Sequence, residues 1–247
     1  MKKTTQFLTL ALAAGFGSAL SGQVTVVTEP FEDTSLMTFV SGSLHSDGSG
    51  DFLGITGGAT DDFGAGSTPS GLKAYTDFTG AYLTGQDLDG DGTNPTVIAW
   101  NGINIASLTS LEFSGDFAEF FDSPGDIDDA DDSLLVEYQI DGSGFQNLLA
   151  FEGADFSSTT FNGIFREDTD FDGVGDGTAL GDAATTFTKA IAGTGSTLDL
   201  RLTASLNSGD EDFAVDNFQV TAVPEPSVYA AALGLLALGF VAWRRRR

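Results

Sequence analysis

Short stretches of the chain alternate between apolar and polar residues. The clearest are 134–140 (LLVEYQI) and 198–204 (LDLRLTA), in which every second residue is apolar. A period of two places these apolar residues on one face of a β-strand, because successive side chains point to opposite faces. Helical periodicity is scarce, and clusters of Gly, Asp, Ser and Asn separate the stretches. The pattern therefore predicts antiparallel strands whose apolar faces cover one shared core.

The number of such stretches predicts an all-β fold, an antiparallel β-sandwich of the jelly-roll type. Further strands are predicted at 24–28, 73–83, 96–100, 107–113, 145–151, 160–165, 185–192 and 213–221. Asp141 and Gly142 predict a hairpin turn between two of the strands, because that turn needs residues that tolerate a positive φ. No proline-rich linker interrupts 23–222, so we expect a single ectodomain over that range.

The last predicted strand changes the face on which its apolar residues lie. Phe213 and Val215 point one way and Phe218 and Val220 point the other, so the pattern slips at 216–217. Such a slip is typical of a β-bulge, or of a strand that is buried on both faces.

The run 211–220, EDFAVDNFQV, resembles the closing strand of secreted bacterial β-sandwich modules, including carbohydrate-binding ones. In several of those modules an acidic residue near the first strand and the aspartate of the closing strand share a structural calcium ion. The resemblance implies that Glu32 and Asp216 are the matching ligands here.

The first residues have the three-part composition of a secretory signal peptide. Lys2 and Lys3 come first, an apolar stretch at 7–20 follows, and small residues close the segment at 19–22. The apolar stretch is short and contains glycines, which makes it a poor membrane span. We predict a signal peptide at 1–22, and a buried N-terminal helix is the alternative.

The segment 223–247 differs in composition from the rest of the chain. Its parts are Pro224, Glu225 and Pro226, an apolar run at 228–243 that ends at Trp243, and Arg244, Arg245, Arg246 and Arg247. The run predicts a single transmembrane helix, anchored by the tryptophan at the interface and by cytoplasmic arginines. Because proline continues neither a strand nor a helix, the two prolines predict a hinge between domain and tail.

This order of motif, apolar run and arginine-rich end resembles the PEP-CTERM sorting signal of Gram-negative bacteria. The resemblance implies that 224–226 is the sorting motif and that a membrane protease, exosortase, processes the tail. It also implies that the protein is anchored transiently in the inner membrane and then exported to the cell surface or the extracellular matrix. A tail that anchors the protein permanently is the alternative.

The charge of the chain is strongly negative and unevenly distributed. There are 36 acidic and 10 basic side chains, and few of the basic ones lie away from the two ends. This balance argues against a nucleic acid partner, because binding DNA or RNA needs Lys and Arg to neutralise phosphates. The absence of cysteine and the single histidine exclude disulfides, thiol nucleophiles, iron–sulfur clusters and multi-histidine metal sites. An apolar fraction of 41% indicates that the acidic body is folded.

Two loops carry an acidic residue at every second position before a glycine. They are Asp87, Asp89 and Asp91 before Gly92, and Asp168, Asp170 and Asp172 before Gly173, with Asp176 beyond. Both resemble the first half of an EF-hand or thrombospondin-type calcium loop, in which such carboxylates supply about half of the oxygen ligands. Both lack the bidentate glutamate of the EF-hand, since Ile98 and Ala179 stand there.

We therefore predict calcium as a cofactor of these loops. Turns with a solvated acidic surface are the alternative. A third acidic cluster, at 126–132, lacks the glycine and predicts a charged loop.

The sequence has no pattern that selects a catalytic site. His45 lies in a Ser/Gly-rich stretch, 41–50, that predicts a loop, and no nucleophile motif lies near it. Two carboxylates could act in glycan hydrolysis, but no spacing selects the pair.

Two functions of different class are therefore open. The first is a non-catalytic exported surface or matrix protein, associated with exopolysaccharide or a biofilm and stabilised by calcium. The second is a glycan-active protein: a calcium-dependent carbohydrate-binding module with an aromatic platform such as Trp100, Tyr75 or Tyr82, or a carboxylate-dependent hydrolase. A place in the core is the alternative for these aromatic residues.

Overall fold

The computed structural model describes residues 22–120, 131–153, 163–225 and 228–246. The chain divides into two compact units, of which 23–225 contains the β-strands and the other carries the helix of the tail. The strands are β1 (Val24–Glu29), β2 (Thr38–Ser41), β3 (His45–Ser46), β4 (Phe52–Thr56), β5 (Tyr82–Gln86), β6 (Thr96–Asn104), β7 (Leu108–Ala118), β8 (Ser133–Ile140), β9 (Gln146–Gly153), β10 (Phe165–Glu167), β11 (Thr185–Ile191), β12 (Thr197–Ser205) and β13 (Asp212–Pro224).

These strands form two antiparallel sheets. The seven-stranded sheet has the order β11-β7-β13-β5-β4-β3, and β1 also pairs with β13. The six-stranded sheet has the order β10-β9-β8-β12-β6-β2. Neighbouring strands come from distant parts of the chain, so the connections cross between the sheets, as in other sandwiches. The predicted antiparallel β-sandwich is confirmed.

The apolar faces of the two sheets enclose one core that is rich in phenylalanine. Phe113 and Phe117 of β7 contact Phe218 of β13, with ring centroids 5.2 and 5.4 Å apart. Phe151 of β9, in the other sheet, has its ring centroid 4.9 Å from that of Phe117. Because aromatic rings bury a large apolar area, these contacts stabilise the packing of one sheet on the other.

Several sequence predictions are confirmed at the level of single residues. β8 and β12 cover the two alternating stretches and bury every second residue. A hairpin turn joins β8 to β9, and Asp141 and Gly142 have φ angles of 50° and 71°. The bulge is also present, since Asn217 has a φ of 53° and the register with β7 shifts after Asp216.

The strand predicted at 73–83 is wrong over most of its length, since β5 begins only at Tyr82. The residues before Tyr82 form a loop whose aromatic side chains cover that tyrosine. Tyr75 and Phe78 have their ring centroids 5.9 and 4.7 Å from that of Tyr82, in a small cluster separate from the main core. The loop has the composition of a strand because it covers apolar surface.

Other boundaries also differ from the sequence predictions. β2, β3 and β4 are strands that the pattern did not predict, and His45 lies in the two-residue β3 rather than in a loop. The strand predicted at 160–165 has only its last residue, Phe165, in β10, and 160–162 lie outside the described residues. Short strands in Ser/Gly-rich sequence carry too few side chains to show a period of two.

The tail forms helix α1, Val228–Arg245, where the sequence predicts a helix at 228–243. None of the helices in the described part of the chain is long and apolar enough to cross a membrane, so the predicted span is not found. The predicted signal peptide lies outside the described residues, except for Gly22.

Candidate metal centre

The acidic loop after β10 folds around the side chain of Asp168, which is only 3% exposed. Its Oδ1 accepts hydrogen bonds from the backbone N–H of Phe171 at 2.7 Å and of Asp170 at 3.3 Å. Its Oδ2 accepts one from the backbone N–H of Gly173 at 2.9 Å. The positive φ angles of Phe171 and Gly173, 59° and 89°, turn the chain tightly around this carboxylate. The first acid of the loop thus organises its backbone.

Three carboxylates of this loop converge. One oxygen from each of Asp168, Asp170 and Asp172 lies within 4.8 Å of the other two. The pKa of Asp170 is raised, first by the neighbouring charge of Asp172. Like charges repel at this distance, so a cation between them would be stabilised. Carboxylate oxygens are the ligands that calcium prefers, so the residues fit the predicted ion.

The fourth acid of this loop does not join the group. Oδ1 of Asp176 accepts hydrogen bonds from the backbone N–H and the hydroxyl of Thr169, at 3.0 and 2.8 Å. These hydrogen bonds lower the pKa of Asp176. Glu152 of β9 is another acidic neighbour of the loop, since burial and then the charge of Asp168 raise the pKa of Glu152 to about 7. The spacing of acidic residues within the loop gave no indication of Glu152, because Glu152 lies on a different element, β9.

The acidic loop at 87–92 has a different geometry. It forms the 3-10 helix Leu88–Asp91, which Asp87 precedes with a φ of 46°. Burial raises the pKa of Asp87 to about 7, and the nearby carboxyl of Asp51 adds to the shift. A Cβ on Gly90 would lie 2.9 Å from Oδ2 of Asp51, so the glycine allows the two segments to approach. A convergent trio like that of the other loop is not found here among the described side chains, which do not include that of Asp91.

The third predicted site pairs Glu32 with Asp216, which lies at the bulge of β13. Asp216 is fully buried and accepts hydrogen bonds from the backbone N–H of Asn217 at 2.7 Å and from its Nδ2 at 3.1 Å. Burial raises the pKa of Asp216 to about 7, and the charges of Asp116 and Glu32 add to the shift. Glu32 accepts a hydrogen bond from the backbone N–H of Ala81 at 3.3 Å. The two predicted ligands therefore interact, and Asp116 is a neighbour that the sequence pattern missed.

The aromatic residues considered for a glycan platform lie in two places. Trp100 is 4% exposed and belongs to the main core. Tyr82 is also buried, and the ring of Phe78 stacks on it with an interplanar angle of 23°. The Tyr75 hydroxyl donates a hydrogen bond to Oδ1 of Asp212. Tyr75 and Phe78 are half-buried.

The predicted sorting motif begins inside the sheet. Pro224 is the last residue of β13 and pairs with Leu108, and the backbone N–H of Glu225 donates a hydrogen bond to the Ser107 carbonyl at 2.9 Å. A proline can end a strand although it donates no hydrogen bond to the ladder, so the predicted hinge does not begin at Pro224. Pro226 lies outside the described residues.

Residues 222–247 match the family model of the PEP-CTERM protein-sorting motif. The match includes Trp243, which is 52% exposed, and Arg244, Arg245, Arg246 and Arg247, of which the last lies outside the described residues. The sequence-based resemblance to this sorting motif is confirmed. The motif implies that the protein is exported, sorted at a membrane and processed by an exosortase.

None of the curated proteins matches the sequence. Among solved structures, a Stig cyclase, Fisc, from Fischerella sp. TAU is 12% identical, with 83% of this chain and 100% of that chain covered and a TM-score of 0.44. The xylan-binding CBM22-1 domain from Paenibacillus barcinonensis is 13% identical, with 84% and 100% covered and a TM-score of 0.38. The family 11 carbohydrate-binding module from Clostridium thermocellum is 8% identical, with 83% and 98% covered and a TM-score of 0.35. At these identities the likeness concerns the fold alone.

Proposed function

We propose that this exported protein is a non-catalytic component of the cell surface or the extracellular matrix, and that calcium stabilises its β-sandwich. The observation that carries the proposal is the convergence of Asp168, Asp170 and Asp172 within 4.8 Å. The backbone of the loop is already organised by Asp168, so little ordering is needed when an ion arrives. Calcium sites of extracellular modules have dissociation constants of about 0.1–1 mM, which suits a loop with few carboxylates.

The charge of the chain supports a role for cations. The 36 acidic side chains outnumber the 10 basic ones, so negative charges repel one another in the compact fold. Bound calcium offsets that repulsion and stabilises the folded state by mass action. Without cysteine, the chain has no disulfide to supply the same stabilisation outside the cell.

Thermal unfolding of the purified protein tests this proposal. At calcium about 100 times above the dissociation constant, binding stabilises the fold by about 2.7 kcal/mol, which raises the Tm by about 5–10 °C for a domain of this size. The double variant Asp170→Asn/Asp172→Asn should lose the loop's share of this increase. A matched variant, Asp182→Asn/Asp210→Asn, removes the same charge from exposed positions and should keep it.

Metal content gives a second readout of the same samples. Elemental mass spectrometry after dialysis against calcium should show less bound ion in Asp170→Asn/Asp172→Asn than in the parent. Equal Tm values in calcium and in chelator, with no bound metal, would refute the proposal.

Calcium-dependent glycan binding is a second candidate, and the half-buried rings of Tyr75 and Phe78 favour it. Aromatic rings can stack on sugars, and Tyr75 and Phe78 lie in a loop outside the main core. A polysaccharide pull-down with and without calcium tests this candidate. Retention that is lost in Phe78→Ala but kept in Asp210→Asn supports it, and no retention on any polysaccharide rejects it.

The mass of the protein recovered from outside the cell tests whether the tail is removed. If an exosortase removes the tail and the product reaches the surface or matrix, protein recovered from the cell exterior should lack Arg247. Protein recovered from the exterior with an intact C-terminus would contradict processing.

A further inference from the structure

The sorting motif at 224–226 follows β13 without a linker, and its first two residues are held by the seven-stranded sheet. Pro224 is the last residue of β13 and pairs with Leu108 of β7. The backbone N–H of Glu225 donates a hydrogen bond to the Ser107 carbonyl at 2.9 Å. The part of the chain that carries the export signal is therefore also part of the fold.

The residues that lead into the motif are held as well. Val223 pairs with Thr109 of β7, and the hydroxyl of Thr109 donates a hydrogen bond to the Val223 carbonyl at 3.2 Å. On the other side of β13, β1 pairs with it as far as Val24 opposite Ala222, and Ala222 is fully buried. β13 thus lies between two neighbouring strands until one residue before Val223, and β7 then holds the next three residues.

A protease that recognises Pro224 and Glu225 has to bind their backbone. In a folded protein, proteolysis follows the population of the state in which the segment is open. The Glu225 side chain is exposed, but Pro224 is half-buried and the backbone N–H of Glu225 is already bonded to β7. Opening the end of a strand breaks few contacts, so the motif can be released while the rest of the sandwich stays folded.

We propose that exosortase acts on this protein only when residues 223–225 are released from β7, so that docking of the end of β13 controls processing. The inference rests on the tail processing proposed above and is independent of calcium binding. β13 is the last strand of the ectodomain and pairs with β1, β5 and β7, so the seven-stranded sheet is complete only when this strand docks. Processing therefore either precedes that docking or requires its end to open.

A disulfide that locks the end of β13 to β7 tests this control. Thr109→Cys/Val223→Cys places two cysteines at directly paired positions, where the distance between strands suits a disulfide, and the chain has no other cysteine. The full chain is expressed in a Gram-negative host that has an exosortase and whose periplasm oxidises the pair. Intact mass then follows the loss of the tail over time. The locked variant should be processed at no more than about a tenth of the parent rate.

Two controls separate the lock from other effects of the substitutions. Ser114→Cys/Thr188→Cys places a disulfide between β7 and β11 of the same sheet, and not at the motif, so it should leave the processing rate unchanged. Inserting Gly-Ser-Gly-Ser between Val223 and Pro224 of the locked variant moves the motif off the sheet and should restore the parent rate.

Hydrogen exchange of the purified full chain measures the docking itself. The amide of Glu225 should exchange more slowly in the parent than in a chain that carries only the insertion, because the parent N–H is bonded to Ser107. Processing of the oxidised, locked variant at the parent rate would overturn the proposal, and so would a locked variant with the insertion that stays unprocessed. The mass of the parent recovered from outside the cell reports on processing itself, so a failure of processing is distinguished from a failure of this control.

Discussion

The indole nitrogen of Trp100 donates a hydrogen bond to Oε2 of Glu29, at 2.9 Å, inside the core. Trp100 belongs to β6 of the six-stranded sheet and Glu29 ends β1 of the seven-stranded sheet, so the bond joins the two layers. The other oxygen of Glu29 accepts the backbone N–H of Phe31 at 2.9 Å. Burial raises the pKa of Glu29, and these two hydrogen bonds partly offset the shift. Trp100 is thus a structural residue and is not available as a sugar platform.

Trp100→Phe should destabilise the fold by about 1–3 kcal/mol, because it leaves a buried carboxylate oxygen without its donor. Urea unfolding measures this loss. A double-mutant cycle with Glu29→Gln separates the hydrogen bond from the lost ring volume, since the two losses should be less than additive. Additive losses would show that the contact between the two side chains does not stabilise the fold.

The sequence predicts correctly those features of the fold that are set by a few consecutive residues. The alternation of β8 and β12 and the hairpin at Asp141 and Gly142 are local, because a period of two and a positive φ are properties of a few consecutive residues. The segment 73–83 was misread because Tyr75 and Phe78 are apolar for another reason. They cover the outer side of Tyr82, and composition does not distinguish covering a sheet from belonging to it.

The candidate metal sites divide in the same way. The trio of Asp168, Asp170 and Asp172 follows from spacing, because a tight turn brings alternate residues together. The meeting of Asp216 with Asp116 depends on strand pairing between β7 and β13, which no local spacing encodes.

Asp141→Ala should destabilise the protein by about 1–3 kcal/mol. Alanine disfavours the positive φ of this turn, and the change also removes an acceptor for the backbone N–H groups of Ser196 and Thr197, at 3.0 and 2.9 Å. Asp141→Asn is the matched control, because asparagine tolerates this conformation and keeps an acceptor oxygen; its loss should stay below about 0.5 kcal/mol. Chemical denaturation of both variants makes the comparison, and equal losses would contradict the role of the turn.

Asp168 has a structural role that is separable from metal binding. In chelator, Asp168→Ala should lower stability by about 1–2 kcal/mol, because the backbone N–H groups of Phe171 and Gly173 lose their acceptor. Asp168→Asn should lose less, since one acceptor oxygen remains. Calcium titration followed by the Tm should show a weakened response in both variants. If Asp168→Ala matched the parent in chelator, the carboxylate would not be what organises this loop.

The stability of the calcium-free protein should fall as the pH rises from about 4 to about 7, and Asp216 should contribute to that fall. The pKa of Asp216 is about 7 in the folded protein and has an ordinary value of 3.8, which applies once the chain unfolds. Between these values the folded state keeps a proton that the unfolded state has released, so raising the pH favours unfolding. The cause is burial, with the charges of Asp116 and Glu32 adding to it.

Asp216→Asn isolates this contribution, because asparagine has a similar shape and does not ionise. In chelator, the variant should gain stability over the parent as the pH rises through this window, and the gain should level off above about pH 7. The exposed Asp210→Asn change is the matched control and should leave the pH profile unaltered. At pH 7, calcium should make the parent more stable than the variant if the ion binds the pair of Glu32 and Asp216. The ionised carboxylate of Asp216 then binds the ion, and the amide of asparagine is a weaker ligand. A parent and a variant with parallel pH profiles in chelator would show that Asp216 is ionised in the folded state, with its charge already neutralised by the hydrogen bonds from Asn217.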